Sequence, residues 1–125
     1  MPSRAILVHD NPDLLNAVSA ALTRAGHAVA RFTEPMAALS TLETASFELL
    51  ITRVEFKRHT INGVALANIA KDKHPGLPVL FVGRPEMRVF TEDVGELLET
   101  PASVRDIVEA AEQLRPGGEG ARDSS

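Results

Sequence analysis

Asp10 is the residue of this chain best placed to do chemistry. It follows the apolar run Ala5-Ile6-Leu7-Val8, stands beside His9 and precedes Asn11-Pro12. A carboxylate next to an imidazole can move protons, and a carboxylate at a loop can hold a hard cation. The first task needs a substrate group or nucleophile nearby, and the second needs further carboxylates. At the ends of the other apolar runs the sequence has Arg53, Gly83 and Thr100-Pro101 instead. The set that a fold could gather is therefore His9, Asp10, Arg53, Gly83 and Thr100. With His9 neutral, Asp10 and Arg53 sum to no net charge, which makes a poor site for a divalent cation. Two placements are open to Arg53: an ion pair with Asp10, or a side chain turned to solvent. No catalytic residue, metal ligand or cofactor is expected.

Other chemistries fall away on composition and spacing. The 125 residues include no cysteine, which removes disulfides, thiolate catalysis and Cys-ligated zinc. The four histidines, His9, His27, His59 and His74, lie far apart, with no i, i+4 pair for a metal. No Gly-x-Gly follows any apolar run, so a phosphate cradle is not predicted. Lys57-Arg58-His59 reads as a solvated loop tip. The net charge of -4, with five Phe and no Trp or Tyr, argues against nucleic acid as a partner. No apolar stretch approaches the roughly 20 residues of a membrane span, and Met1-Pro2-Ser3-Arg4 is unlike a signal peptide. A cytoplasmic domain is the expectation.

The elements that must position these residues alternate. Ala5–Val8, Leu49–Ile51 within Phe47–Val54, and Pro78–Val82 are continuous apolar runs, as expected of strands covered on both faces. His27–Phe32 is a less apolar strand suited to a sheet edge, and Leu97-Leu98 marks a short fifth one. Between them lie helical patterns. Asn11-Pro12 opens a helix carried by Leu14, Leu15, Val18 and Leu22, which Gly26 ends. Thr33 and Pro35 open a second through Met36, Leu39 and Leu42. Asn62-Gly63 precedes a third, with Val64, Leu66, Ile69 and Ala70. Thr100-Pro101 begins a last one with Val104, Ile107, Val108, Ala111 and Leu114. Alternation of this kind predicts a doubly wound α/β fold, a flavodoxin-like (βα)5 sheet of five parallel strands. The folded domain is expected over 1–115, and the Gly-rich polar segment 116–125 is expected to be a disordered tail.

Ala5-Ile6-Leu7-Val8-His9-Asp10-Asn11-Pro12 resembles the first strand and acidic loop of response-regulator receiver domains. Phe47–Arg53 resembles their third strand, Leu77–Val82 their fourth, and Thr100-Pro101 their late Lys-Pro turn. The resemblance runs from about Arg4 to Leu114. It implies phosphoryl transfer to an aspartate, with Mg2+ held by carboxylates and a hydroxyl and a lysine sensing the product. This chain departs from that pattern. Arg53 stands at the acceptor position, His9 replaces the first acidic residue, Gly83 the sensing hydroxyl and Thr100 the lysine. Asp10 and Pro101 persist, and Leu97 takes the place of the aromatic switch residue. The resemblance therefore implies a degenerate receiver that is not phosphorylated at the usual site.

Two spans differ in length from the family. The loop from Arg53 to Gly63 is slightly longer and lacks Met-Pro. Gly83 to Thr100 is shorter by about one helical turn, which predicts a curtailed fourth helix. Met87, Val89 and Phe90 fall in that curtailed span, where they either cover the core or form a partner patch flanked by Arg84, Arg88 and Leu97. The expected function is an atypical stand-alone receiver domain in bacterial two-component signalling, acting by phosphorylation-independent protein–protein interaction rather than as an enzyme. A histidine kinase, another response regulator or an output protein would be the partner of a monomer or weak homodimer. Two other classes stay open: an active phosphoryl acceptor using Asp10, and a small flavodoxin-like binding protein or enzyme.

Overall fold

Strands and helices alternate throughout the computed structural model, which describes residues 4–57 and 61–114. The strands are β1 (Arg4–Val8), β2 (Ala28–Phe32), β3 (Leu49–Arg53), β4 (Val79–Gly83) and β5 (Glu96–Glu99). The helices are α1 (Pro12–Arg24), α2 (Pro35–Thr44), α3 (Gly63–Lys73), α4 (Arg88–Thr91) and α5 (Val104–Leu114). A short 3-10 turn, Pro85–Met87, leads into α4. All strand pairs are parallel in the order β2-β1-β3-β4-β5, the flavodoxin-like arrangement that the alternation predicts. No described helix is long and apolar enough to cross a membrane.

The sheet is covered on both faces because β1, β3 and β4 are apolar on both. Ala5, Leu7, Leu49, Ile51, Leu80 and Val82 pack against Leu15, Val18 and Leu22 of α1 and Ile107 and Ala111 of α5. Ile6, Val8, Leu50, Val79 and Phe81 face the other way, onto α2, α3 and the α4 region. Burial of this kind contributes about 25 cal/mol per Å2 of apolar surface, enough to dictate which strands are central. β2, with an exposed Arg31, lies at one edge as its composition predicts, and β5 at the other.

Local signals set most boundaries. The Asn11 side chain accepts hydrogen bonds from the amides of Asp13 and Leu14, and Asn62 accepts from Ala65. Gly26 ends α1 at φ 100°, a left-handed conformation that glycine adopts without strain.

Three expectations need correction. Met36 is 52% exposed, because α2 turns Pro35, Ala38 and Leu42 inward instead. Thr33 does not cap α2; Glu34 occupies that position and its side chain makes no capping bond. Thr100-Pro101, joined by a cis peptide bond, does not start α5. That helix is opened by Ser103, whose hydroxyl accepts from the Asp106 amide while Asp106 Oδ2 accepts from the Ser103 amide. Such a reciprocal box satisfies two amides that the helix leaves without partners. Residues 116–125 and the Arg58-His59 part of the loop cluster lie outside the described residues.

Candidate functional site

The carboxyl ends of β1 and β3 bring Asp10 and Arg53 together. These strands pair in register from Ala5 with Leu49 to Val8 with Thr52, so both residues leave the sheet at one level. Arg53 Nη1 donates to Asp10 Oδ1 at 2.7 Å. The other oxygen, Oδ2, accepts from the Lys57 amide at 3.2 Å. Burial alone would push the Asp10 carboxyl up. The hydrogen bonds from Arg53 and Lys57 and the guanidinium charge outweigh that and hold it below the usual carboxylate range.

His9 is buried at the same edge. Its Nδ1 accepts from the Asn11 amide at 3.0 Å, which places the ring proton on Nε2. Burial, reinforced by the nearby Arg53 charge, lowers its pKa to about 4, so the ring is neutral at pH 7. The 3.9 Å separation between His9 Nδ1 and Asp10 Oδ1 is accordingly a contact between two acceptors, not an ion pair. His9 and Asp10 do not form an acid–base couple.

The remaining pocket positions sit apart from this pair. Gly83 ends β4, and a Cβ on it would meet Val54 Cγ2 at 2.7 Å. Leu97 Cδ1 would lie 3.7 Å from the same point. Val54, itself 2% exposed, thus fills the place that a side chain at position 83 would take. Thr100 reaches Gly83 only through the backbone, its amide donating to the Gly83 carbonyl at 2.9 Å. Pro101 is exposed. The structure therefore divides the predicted set into a polar trio, His9, Asp10 and Arg53, and an apolar plug of Val54 over Gly83.

A divalent cation does not fit these residues. Asp10 is the carboxylate of the trio, and both its oxygens already accept hydrogen bonds. Among the described residues no three His, Asp or Glu side chains converge as a metal site would require.

On the next loop, Arg84 forks onto Glu55, with Nε and Nη2 on Oε1 at 3.1 and 2.9 Å and Nη2 on Oε2 at 3.1 Å. Arg88 pairs with Glu99. The two cations expected to flank a partner patch are engaged by carboxylates of this chain. Met87 and Leu97 are partly buried against the core, whereas Val89 and Phe90 are 68% and 60% exposed. Val54, Glu55 and the Lys57 amide are site residues that sequence reasoning missed. Glycine followed by arginine after β4 was the available signal, since it leaves a space and a cation that the β3–α3 loop can answer.

No protein-family model matches the chain, and neither does any curated protein. Solved structures do match it. NtrX from Brucella abortus superposes with a TM-score of 0.83 at 20% identity, over 99% of this chain and 28% of that one. The chemotaxis protein CheY4 of Vibrio cholerae gives 0.79 at 19% identity, over 91% of this chain and 99% of its own. A response regulator receiver protein from Sinorhizobium medicae gives 0.79 at 22%, over 90% and 93%. The chain thus spans about a quarter of NtrX and nearly the whole of the two shorter proteins. At these identities the likeness establishes the fold, which is that of CheY-like receiver domains.

Proposed function

We infer that this receiver-fold chain is a protein-interaction module of two-component signal transduction whose pocket is held in one state by its own side chains. The observation that carries the reading is the Arg53–Asp10 pair. A guanidinium stands where an acceptor carboxylate would be, and it satisfies the acidic residue that would otherwise help to bind a cation. The Val54 plug over Gly83 supports the same conclusion, because it leaves no room for a sensing hydroxyl. With an arginine at the acceptor position and Val54 in the place of a side chain at position 83, the chain would act in the cytoplasm by binding constitutively to a histidine kinase, another response regulator or an output protein. It would do so without catalysis.

The test is incubation with acetyl phosphate and Mg2+, followed by intact mass measurement and a binding assay with and without the phosphodonor. The expected result is an unchanged mass and partner binding of equal strength in both arms. A gain of one phosphoryl group that disappears in Asp10→Asn would overturn this reading in favour of an active acceptor.

A further inference from the structure

The sheet has two edges, and they differ in what they offer. From Ala28 to Phe32 the residues of β2 are exposed or half-buried, whereas the apolar residues of β4 are all buried. The His9 amide donates to the Phe32 carbonyl, so the Phe32 backbone bonds inward to β1, and by alternation so do Ala30 and Ala28. The backbone groups of Val29 and Arg31 therefore point off the edge. Those of His27 point the same way, but its amide is already bonded to the Leu22 carbonyl. The surface is open beside the carboxyl end of β2 too, where Arg31 and Glu34 line a hollow of about 400 Å3. Edge strands commonly carry a proline, a bulge or several charges that forbid a further strand. Here the register with β1 is unbroken, and Arg31 is the one charged residue of the strand.

The sequence of β2 is complementary to itself. Laid antiparallel about a two-fold axis at Ala30, Val29 of one copy faces Arg31 of the other, and each such pair can exchange both its hydrogen bonds. On the opposite face Ala30 meets Ala30, and Phe32 meets the small Ala28. No guanidinium faces a guanidinium, and no ring faces a ring. A register with Arg31 opposite itself would bring like charges together. One with Val29 opposite itself would set Arg31 against His27, whose amide is spent. In the register about Ala30, Glu34 lies level with Gly26 of the second copy, close in sequence to Arg24. Arg24 closes α1 and Glu34 precedes α2; both are exposed, and neither has an ion-pair partner among the described residues. Opposite charges thus meet at both ends of the pair. The other edge lacks this match, because β5 paired with itself would gather the Glu96 and Glu99 carboxylates of both copies along one short ribbon.

We propose that β2 pairs antiparallel with β2 of a second copy of this chain, making one continuous sheet across a two-fold axis. The pairing stands whether or not the pocket accepts a phosphoryl group.

The experiment is sedimentation velocity of the full chain over a concentration series, with amide hydrogen exchange measured along the same series. A monomer–dimer equilibrium should appear, and the Val29 and Arg31 amides should gain protection as the dimer fills, while those of Leu97 and Glu99 on the other edge do not. Arg31→Pro removes an outward N–H and keeps the bonds to β1. It should weaken the dimer at least about tenfold, a loss of about 1.4 kcal/mol, in a chain that still folds. Glu34→Arg sets like charges together and should weaken association about threefold or more, and adding Arg24→Glu should restore it. Thermal melts of each variant report whether it is folded. A chain that stays monomeric at every concentration would overturn the proposal. So would a dimer that survives Arg31→Pro, or one lost in Phe90→Ala instead, which would assign self-association to the α4 region. Were Arg31→Pro unfolded, the charge exchange decides alone, and association indifferent to Glu34→Arg would overturn the proposal too.

Discussion

A methyl group of Val54 stands where the side chain of a residue at position 83 would begin, 2.7 Å from the Cβ that glycine lacks. Real Cβ contacts are never so short, so the two positions are mutually exclusive: glycine at one permits valine at the other. Gly83→Thr, which would return a hydroxyl to the end of β4, should destabilise the protein by about 1–3 kcal/mol through overpacking. In the Val54→Ala background the same change should cost less. Urea unfolding of both single variants and the double variant gives the coupling, and additive losses would place the methyl group elsewhere.

Removing the guanidinium at position 53 leaves Asp10, whose side chain is 14% exposed, without its strongest partner. Arg53→Ala should cost about 1–2 kcal/mol, more than the median exposed ion pair. The same variant with Asp10→Asn should recover part of that loss, since the neutral amide is cheaper to leave unpaired.

Mg2+ should not raise the melting temperature of the wild-type chain, because both Asp10 oxygens are already engaged. Arg53→Asp replaces the cation with a second carboxylate and should create Mg2+-dependent stabilisation. A site at 100 times its dissociation constant would add about 2.7 kcal/mol. A Mg2+-dependent rise in the wild type that Asp10→Ala abolishes would contradict the geometry described here.

Stability should fall in acid in two stages. The folded-state pKa of His9 is lowered to about 4, from 6.5 in the unfolded chain, so the unfolded state binds the proton more tightly. The contribution of the neutral ring is therefore complete above pH 6.5 and is lost as the pH drops towards 4, a change on the order of 3 kcal/mol. Asp10 is also depressed, so its contribution is present above the ordinary aspartate range and is lost only below about pH 4. His9→Asn keeps an acceptor for the Asn11 amide and removes the first stage. Chemical denaturation between pH 7 and 4 should show a flatter profile for that variant, and an unchanged profile would mean that His9 titrates normally.

Met87 and Phe90 should separate by what their loss affects. Met87 packs against the core, so Met87→Ala should cost about 1–2 kcal/mol of stability. Phe90→Ala should change stability by no more than about 0.5 kcal/mol, since the ring is 60% exposed. A denaturant midpoint in which Phe90→Ala is the more damaging would place the ring in the core.

The sheet was legible because its signal is redundant. Ala5–Val8, Leu49–Ile51 and Pro78–Val82 are apolar on both faces, and the weaker runs at Ala28 and Glu96 are the edge strands. What escaped the sequence depended on small residues and on partners far apart in the chain. The periodicity of α2 points to Met36, Leu39 and Leu42 because large side chains dominate such a count; Leu42 is in the core and Leu39 packs against it, but in the first turn the residue that reaches the core is Ala38, not Met36. Two capping signals lie within four residues of each other, Thr100-Pro101 and Ser103-x-x-Asp106, and only the second has a side chain reaching an amide of α5. The Asp10–Arg53 pair was one of two placements that the spacing allowed. The forks from Arg84 to Glu55 and from Asp10 to Arg53 and Lys57 span 29 to 47 residues, distances over which local pattern carries no information.

Those same long-range ties bear on how fast the chain can be recognised. Residues 53–57 are fastened from one side by Asp10, at the Arg53 side chain and the Lys57 amide, and from the other by Arg84 at Glu55. A segment so held has already surrendered its freedom in the unbound protein. Under the proposed function, a partner that met this edge of the sheet would find one shape, and its apparent affinity would not be divided by the small fraction of molecules that happen to be competent. Receivers that wait for a signal must carry that penalty so the signal can lift it. Under the proposed function this chain would carry no such penalty, and occupancy would follow from the abundance of the partner alone.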